Sequence, residues 1–191
     1  MKHIIKPALA LFIIAAVTTT MLVYAFSLTK EPIANQRKKT QEKTMKAIFP
    51  YATAFREIVS EKQGDIDKVF ESSNGDVILG VVVELSPSGY SGNIQMMVGL
   101  SKTQNQIAGI RILKHTETPG LGALSVKEEF YRKYDNRRIE PLRVIRSGIA
   151  GQNEIQAITG ATITSRAITN AVNEAVEWYT VYYDNPGTEL P

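Results

Sequence analysis

The sequence predicts an α+β domain, an antiparallel sheet packed against helices, preceded by one N-terminal transmembrane helix. Residues 7–28, PALALFIIAAVTTTMLVYAFSL, contain no charged side chain. Between about residues 66 and 113, short β-rich runs alternate with turn residues. Toward the C-terminus the apolar residues switch to three- and four-residue spacing, the period of an amphipathic helix.

The apolar run comes first. At 1.5 Å rise per helical residue it spans roughly 30 Å, the thickness of one bilayer core. Lys6 precedes it and Lys30 follows it. A run apolar on every side and flanked by lysines favours lipid over a protein core. A cleaved signal peptide competes, because Val23-Tyr24-Ala25 passes loosely as a cleavage site. The length of the run favours an uncleaved anchor, residues 1–28.

Residues 29–60 read as a helical membrane-proximal stalk: Glu31 to Ala47 is polar and helix-compatible, and Ala52 to Ser60 suits a short second helix. The folded domain is then 61–191. Ile66 to Ser72 and Val77 to Leu85 flank Ser73-Asn74-Gly75-Asp76, and Asn-Gly between β-rich runs is a hairpin signal. Further strands are expected at Gly92 to Leu100, Ile107 to Leu113 and Leu142 to Arg146, with a helix at Ala123 to Tyr134. The closing helix, about Thr164 to Tyr182, puts Ile163, Ala167, Ile168, Ala171, Val172, Ala175, Val176 and Tyr179 on one face. Thr164 or Ser165 is its expected N-cap.

Composition excludes several chemistries. There is no cysteine, which removes disulfides, thiolate metal sites and cysteine nucleophiles, and there are only two histidines, His3 and His115. No metal site and no catalytic acid–base pair is expected. Glu128-Glu129 and Arg137-Arg138 read as solvated charges, and His115 has no nucleophile elbow to serve. Residues 1–46 hold 8 Lys and Arg against 2 acids, so the excess positive charge is membrane-proximal and the remainder is mildly acidic. That distribution argues against nucleic-acid binding. By the same count, the positive-inside rule would place the large domain in the cytoplasm.

Two segments suit a ligand. Thr159-Gly160-Ala161-Thr162 feeds the N-terminus of the closing helix, where unpaired N–H groups and the dipole favour a phosphate; capping alone would also explain the threonines. The spacing is not that of a Walker loop. Upstream, Glu117-Thr118-Pro119-Gly120-Leu121-Gly122 forms a glycine-rich loop with a carboxylate and a hydroxyl. It lacks the third glycine and the βαβ context of a dinucleotide fingerprint.

Together, HTETPGLGA at His115 to Ala123, ITGATITS at Ile158 to Ser165 and SGYSGNI at Ser88 to Ile94 look like the FMN-binding domain of two related proteins. These are the G subunit of Rnf-type electron-transport complexes and the C subunit of the sodium-pumping NADH:quinone reductase. The resemblance covers nearly the whole chain, and its length is similar to the Rnf G subunit. It implies that Thr162 is joined to FMN through a phosphoester by a separate flavin transferase. Thr159, Gly160, Ala161 and Thr164 would surround the attachment point, and Glu117, Thr118, Leu121 and Gly122 would contact the flavin. Family patterns often carry an acid three positions before the first hydroxyl, where this chain has Gln156.

The resemblance further implies a single-pass protein of the cytoplasmic membrane with an extracytoplasmic, periplasmic domain, lipid around its anchor, and iron–sulfur and flavin subunits of the complex as partners. It would carry electrons within a ferredoxin:NAD oxidoreductase coupled to ion movement rather than act as a stand-alone enzyme. Two other readings remain open at this point: an anchored binding or assembly module without flavin, and a reductase with noncovalent FMN.

Overall fold

A computed structural model describes residues 2–183. The chain divides into two compact units, Met1–Gln41 and Glu42–Pro191. The first is formed by helix α1 (Lys2–Ile48), which contributes its last turns to the second unit. α1 contains a window of mean hydropathy 2.2 and is long and apolar enough to cross a membrane. Several of its hydroxyls bond within the helix: Thr18 donates to the Ile14 carbonyl at 2.9 Å, Thr20 to Ala16 at 2.8 Å and Ser27 to Tyr24 at 2.8 Å. Back-bonding of this kind lets hydroxyls sit in hydrocarbon without an unmet donor.

The second unit is built on a six-stranded antiparallel sheet in the order β1 (Ala54–Val59), β2 (Ile66–Asn74), β3 (Val77–Leu85), β4 (Gln95–Ser101), β5 (Gln106–Lys114) and β6 (Arg137–Arg138). Up to β5, short loops lead each strand into its neighbour. The β2–β3 turn forms where the sequence signal lies, but only Gly75 takes a positive φ, 58°; a II′ hairpin needs glycine at that first central position.

β1 corrects the expected helix at 52–60. The short run Phe55, Ile58, Val59 has no period long enough to choose between helix and strand. Pairing against β2 decides it, with Arg56 to Glu71 at 2.7 Å and Lys68 to Glu57 at 2.9 Å across the strands. The sheet therefore begins upstream of residue 61, and the compact unit reaches back to Glu42.

Both faces of the sheet are covered, which explains the nearly continuous apolar runs of β3 and β4. On one face Val69, Val81, Val83, Met96, Val98 and Ile110 meet helix α3 (Thr162–Trp178) through Ile168, Val172, Ala175 and Val176. On the other, Met45, Ile48, Phe49 and Ala52 pack on Phe70, Val82 and Met97. Gly99 permits that approach, since a Cβ there would lie 2.2 Å from Ile48 Cγ2.

The expected helix at 123–134 is broken into a 3₁₀ turn (Gly122–Val126), the short α2 (Glu128–Tyr131) and a second 3₁₀ turn (Arg132–Tyr134). Lys127 is extended, with φ −81° and ψ 148°. Tertiary packing of buried Gly122 and Ser125 on one side and buried Phe130 and Tyr134 on the other overrides helix propensity. The strand expected at 142–146 is β7 (Arg143–Ile145). It pairs in parallel with β8 (Glu154–Gln156), a strand too short to carry a sequence signal of its own. α3 passes into a π turn at Tyr179–Tyr183, and residues 184–191 of the expected domain lie outside the described residues.

Candidate functional site

β5 ends at Lys114, and the following loop turns Glu117 inward until only 5% of it is exposed. Its carboxylate links this loop to two other segments. Oε1 accepts the backbone N–H of Ser91 at 2.9 Å, and Oε2 accepts the hydroxyl of Thr164 at 2.5 Å. Thr116 reinforces the junction by donating to the Ser91 carbonyl at 3.1 Å, and the Glu117 N–H donates to His115 Nδ1 at 3.2 Å.

Glycines make room for that carboxylate. A Cβ on Gly89 would lie 2.4 Å from Glu117 Oε1, and one on Gly122 would lie 2.3 Å from Oε2 and 2.7 Å from Thr164 Oγ1. The first glycine of SGYSGNI and the second of the Gly-Leu-Gly turn are thus explained by the same buried side chain.

The turn into α3 is held from inside. Ser165 Oγ accepts the Ile158 N–H at 3.0 Å and donates to the Ala161 carbonyl at 2.9 Å, closing the turn that contains Thr159 and Gly160. Gly160 has φ 76° and lies against Leu121; a Cβ on it would come 2.9 Å from Leu121 Cδ2. Below this, Thr169 donates to the Ser165 carbonyl at 2.9 Å and is bonded to the Tyr134 hydroxyl at 2.7 Å. Burial pushes the Tyr134 phenol well above its ordinary value, so it stays protonated there.

The helix begins earlier than expected. Ala161 is its N-cap, with no side-chain cap, and Thr162 is its first residue. Thr164 and Ser165, the expected caps, lie inside the first turn, and their hydroxyls are committed to Glu117 and to Ala161. The first intrahelical bond runs from Ser165 N–H to the Ala161 carbonyl, leaving the N–H groups of Thr162, Ile163 and Thr164 ahead of it.

These segments enclose a cleft of about 340 Å³ lined by Tyr90, Glu117, Thr118, Leu121, Gly122 and Gly160 to Thr164. Every site residue expected from the sequence is there except Thr159, which is exposed and outside the lining. Two lining residues go beyond that expectation. Tyr90 is 69% exposed; it stands within SGYSGNI but carries no signal of its own. Ile163, expected on the buried face by its spacing, is 54% exposed and faces the cleft instead. Tyr90, Leu121 and Ile163 give the cleft apolar surfaces. Among the described residues, no cluster of three or more potential ligands could hold a metal ion.

The chain is similar to known proteins along most of its length. Residues 89–177 match the model of the FMN-binding domain, and residues 1–48 match that of the RnfG N-terminal region. The G subunit of the ion-translocating oxidoreductase complex of Methanosarcina acetivorans is 32% identical over 93% of this chain and 95% of the relative. The G subunit of the Na(+)-translocating ferredoxin:NAD(+) oxidoreductase complex of Acetobacterium woodii is 34% identical, over 93% and 92%. Among solved structures, NqrC of Shewanella oneidensis aligns with a TM-score of 0.52 at 21% identity, covering 66% of each chain. The C subunit of the Na(+)-translocating NADH-quinone reductase of Parabacteroides distasonis gives 0.53 at 20%, covering 68% of this chain and 76% of that one. These two share the fold. With both family models matched and these relatives more than 30% identical over nearly the whole chain, the chain belongs to the family of G subunits of ion-translocating, Rnf-type oxidoreductase complexes, and it carries that family's FMN-binding domain.

Proposed function

We propose that this protein is a membrane-anchored electron carrier whose FMN is attached through a phosphoester to Thr162, within a complex that couples ferredoxin–NAD electron transfer to ion movement. The observation that carries the attachment is the state of the hydroxyls in the turn. Thr164, Ser165 and Thr169 are all engaged in buried hydrogen bonds. Thr162 is half-buried, lines the cleft and makes no side-chain hydrogen bond among the described residues. Of the hydroxyls at the start of α3, it is the one that can be esterified without breaking a buried hydrogen bond.

The residues fit a phosphorylated flavin. The N–H groups of Thr162, Ile163 and Thr164 suit phosphate oxygens. The left-handed Gly160 keeps the backbone low beside them. Leu121, Ile163 and Tyr90 offer faces to a planar ring, and a cleft of about 340 Å³ falls at the lower end of the range for ligand sites. The flavin, when bound, supplies the electron-transfer chemistry. The chain supplies attachment, orientation and an apolar wall. Thr159 is exposed and lies outside the cleft lining.

An extracytoplasmic domain accords with covalent attachment, because a dissociable cofactor would be lost by dilution outside the cell. A flavin transferase is then needed for maturation, membrane lipid surrounds α1, and the remaining subunits are electron partners. The test is in-gel flavin fluorescence after denaturation, on wild type and Thr162→Ala co-expressed with a competent transferase. Fluorescence in wild type alone supports the assignment. A wild-type band without fluorescence, with the transferase active on a control substrate, sinks it. Flavin that is bound in the native protein and released by denaturation would favour the noncovalent reductase.

A further inference from the structure

Charge is unevenly spread along the folded part of the chain. Residues 132–146 hold six basic side chains, Arg132, Lys133, Arg137, Arg138, Arg143 and Arg146, against two acids, Asp135 and Glu140, a balance of +4. Residues 47–191 as a whole hold 14 Lys and Arg against 17 acids, a balance of −3, so everything in them outside this segment carries −7. The positive segment runs into the loop that joins β7 to β8. Near the middle of that loop stands Ile149, 99% exposed.

The loop is fixed at its base. Arg137 donates through Nη1 to the carbonyls of Gly151 at 2.8 Å and Gln152 at 2.5 Å, and through Nε to the Lys133 carbonyl at 2.9 Å. Glu154 accepts the Gly151 N–H at 2.9 Å with Oε2 and the Arg143 Nε–H at 3.0 Å with Oε1. Gly148, with φ 101°, turns the chain just before Ile149 in a conformation that favours glycine. A single exposed apolar side chain is commonplace on protein surfaces. This one differs in standing on a braced loop next to the most basic stretch of the domain, and a braced loop loses little entropy when a partner covers it.

We infer that the loop from Arg146 to Gly151 docks another subunit of the oxidoreductase complex, with Ile149 entering an apolar pocket and Arg146 facing an acidic rim. Arg143 and Arg138 already have carboxylates, Glu154 and Glu140. Arg146 is exposed, and no ion pair among the described residues involves it. A basic surface selects an acidic partner and excludes a basic one. The chemistry suits protein better than lipid: segments that sit in a bilayer interface draw on Trp and Tyr, and residues 143–153 contain no aromatic side chain. One branched aliphatic group on a rigid backbone fits a preformed pocket. The inference needs the chain to be a subunit of a larger complex and is independent of where the flavin is attached.

The test uses the full-length chain expressed with the remaining subunits of its complex. A benzophenone amino acid at position 149 is activated by light in native membranes, and mass spectrometry identifies what it captures; a cross-link to a subunit of the complex is expected. In competition, wild-type and Ile149→Glu chains carrying different tags are co-expressed, and wild type should occupy the complex about ten- to hundredfold in preference. Arg146→Glu should lose to wild type by about two- to fivefold. Both side chains are exposed, so each variant should melt with wild type when followed by Trp178 fluorescence, and the cross-link stands without the variants. A cross-link to lipid alone, no cross-link, or equal occupancy of the complex by either folded variant would overturn the inference. Absence of covalent flavin bears on Thr162 and leaves this result untouched.

Discussion

Replacing Gly122 with alanine tests whether the Glu117 junction organises the site. The added Cβ would lie 2.3 Å from Glu117 Oε2, 2.7 Å from Thr164 Oγ1 and 2.9 Å from Glu117 Cβ. None of these atoms belongs to the far end of a mobile surface chain; Glu117 and Thr164 are 5% and 1% exposed. Overpacking a filled site costs about 1–3 kcal/mol. Separating Thr164 from a buried carboxylate adds the loss of a charge-assisted hydrogen bond worth about 1.5–3 kcal/mol, part of which relaxation recovers. A total of about 3 kcal/mol lowers Tm by roughly 6–12 °C for a folded unit of this size. Gly120→Ala is the control: with φ 77° and nothing within 4 Å of its Cβ, it should cost only the left-handed penalty, about 1 kcal/mol. Trp178, the one tryptophan and 3% exposed, reports unfolding by its fluorescence. If Gly122→Ala melts within about 2 °C of wild type, or Gly120→Ala is the more damaging, the reasoning fails.

Further tests reach other parts of the fold. Tyr134→Phe removes the hydroxyl bonded to Thr169 at 2.7 Å and should cost about 1 kcal/mol in urea unfolding with an unchanged slope; no loss would show that the bond under Ser165 contributes nothing. Burial alone would raise the Glu71 carboxyl, but hydrogen bonds from Tyr183 at 2.6 Å and Arg56 at 2.7 Å hold it below its ordinary value. Its contribution is therefore complete above the ordinary carboxylate pKa and lost as pH falls through the lowered one. Glu71→Gln should lower Tm at pH 7 and converge with wild type in acid, whereas a constant difference across pH would contradict the assignment. Because the chain has no cysteine, Tyr51→Cys, at a position 81% exposed, gives a single label site. Labelling of intact cells by a membrane-impermeant maleimide is expected for an extracytoplasmic domain, and protection until lysis would place it inside.

Much of this architecture is legible because the signals are local. The uncharged run of residues 7–28, the glycine of the β2–β3 turn and the spacing of Ile168, Val172, Ala175 and Val176 each follow from short-range chemistry. What is not legible depends on contacts distant in sequence. β1 is a strand because β2 pairs with it, and β8 exists because β7 lies alongside; neither segment has periodicity enough to say so. The start of α3 differs from its expected place because Thr164 and Ser165 have the chemistry of caps but spend it elsewhere: Thr164 on a carboxylate 47 residues away, Ser165 on its own turn. The cleft motifs are recognisable as residues, whereas the pin that joins them, Glu117 to Ser91 and Thr164, becomes visible only in three dimensions.

The central claim is that the uncommitted hydroxyl of Thr162 carries the flavin. Digestion after Arg146 and Arg166 yields residues 147–166, a peptide in which Ser147, Thr159, Thr162, Thr164 and Ser165 all offer hydroxyls. Tandem mass spectrometry of that peptide, from chain co-expressed with an active flavin transferase, should locate the FMN mass on Thr162 and leave the other four unmodified. FMN on Ser147, Thr159, Thr164 or Ser165, or an unmodified peptide alone, would contradict the account.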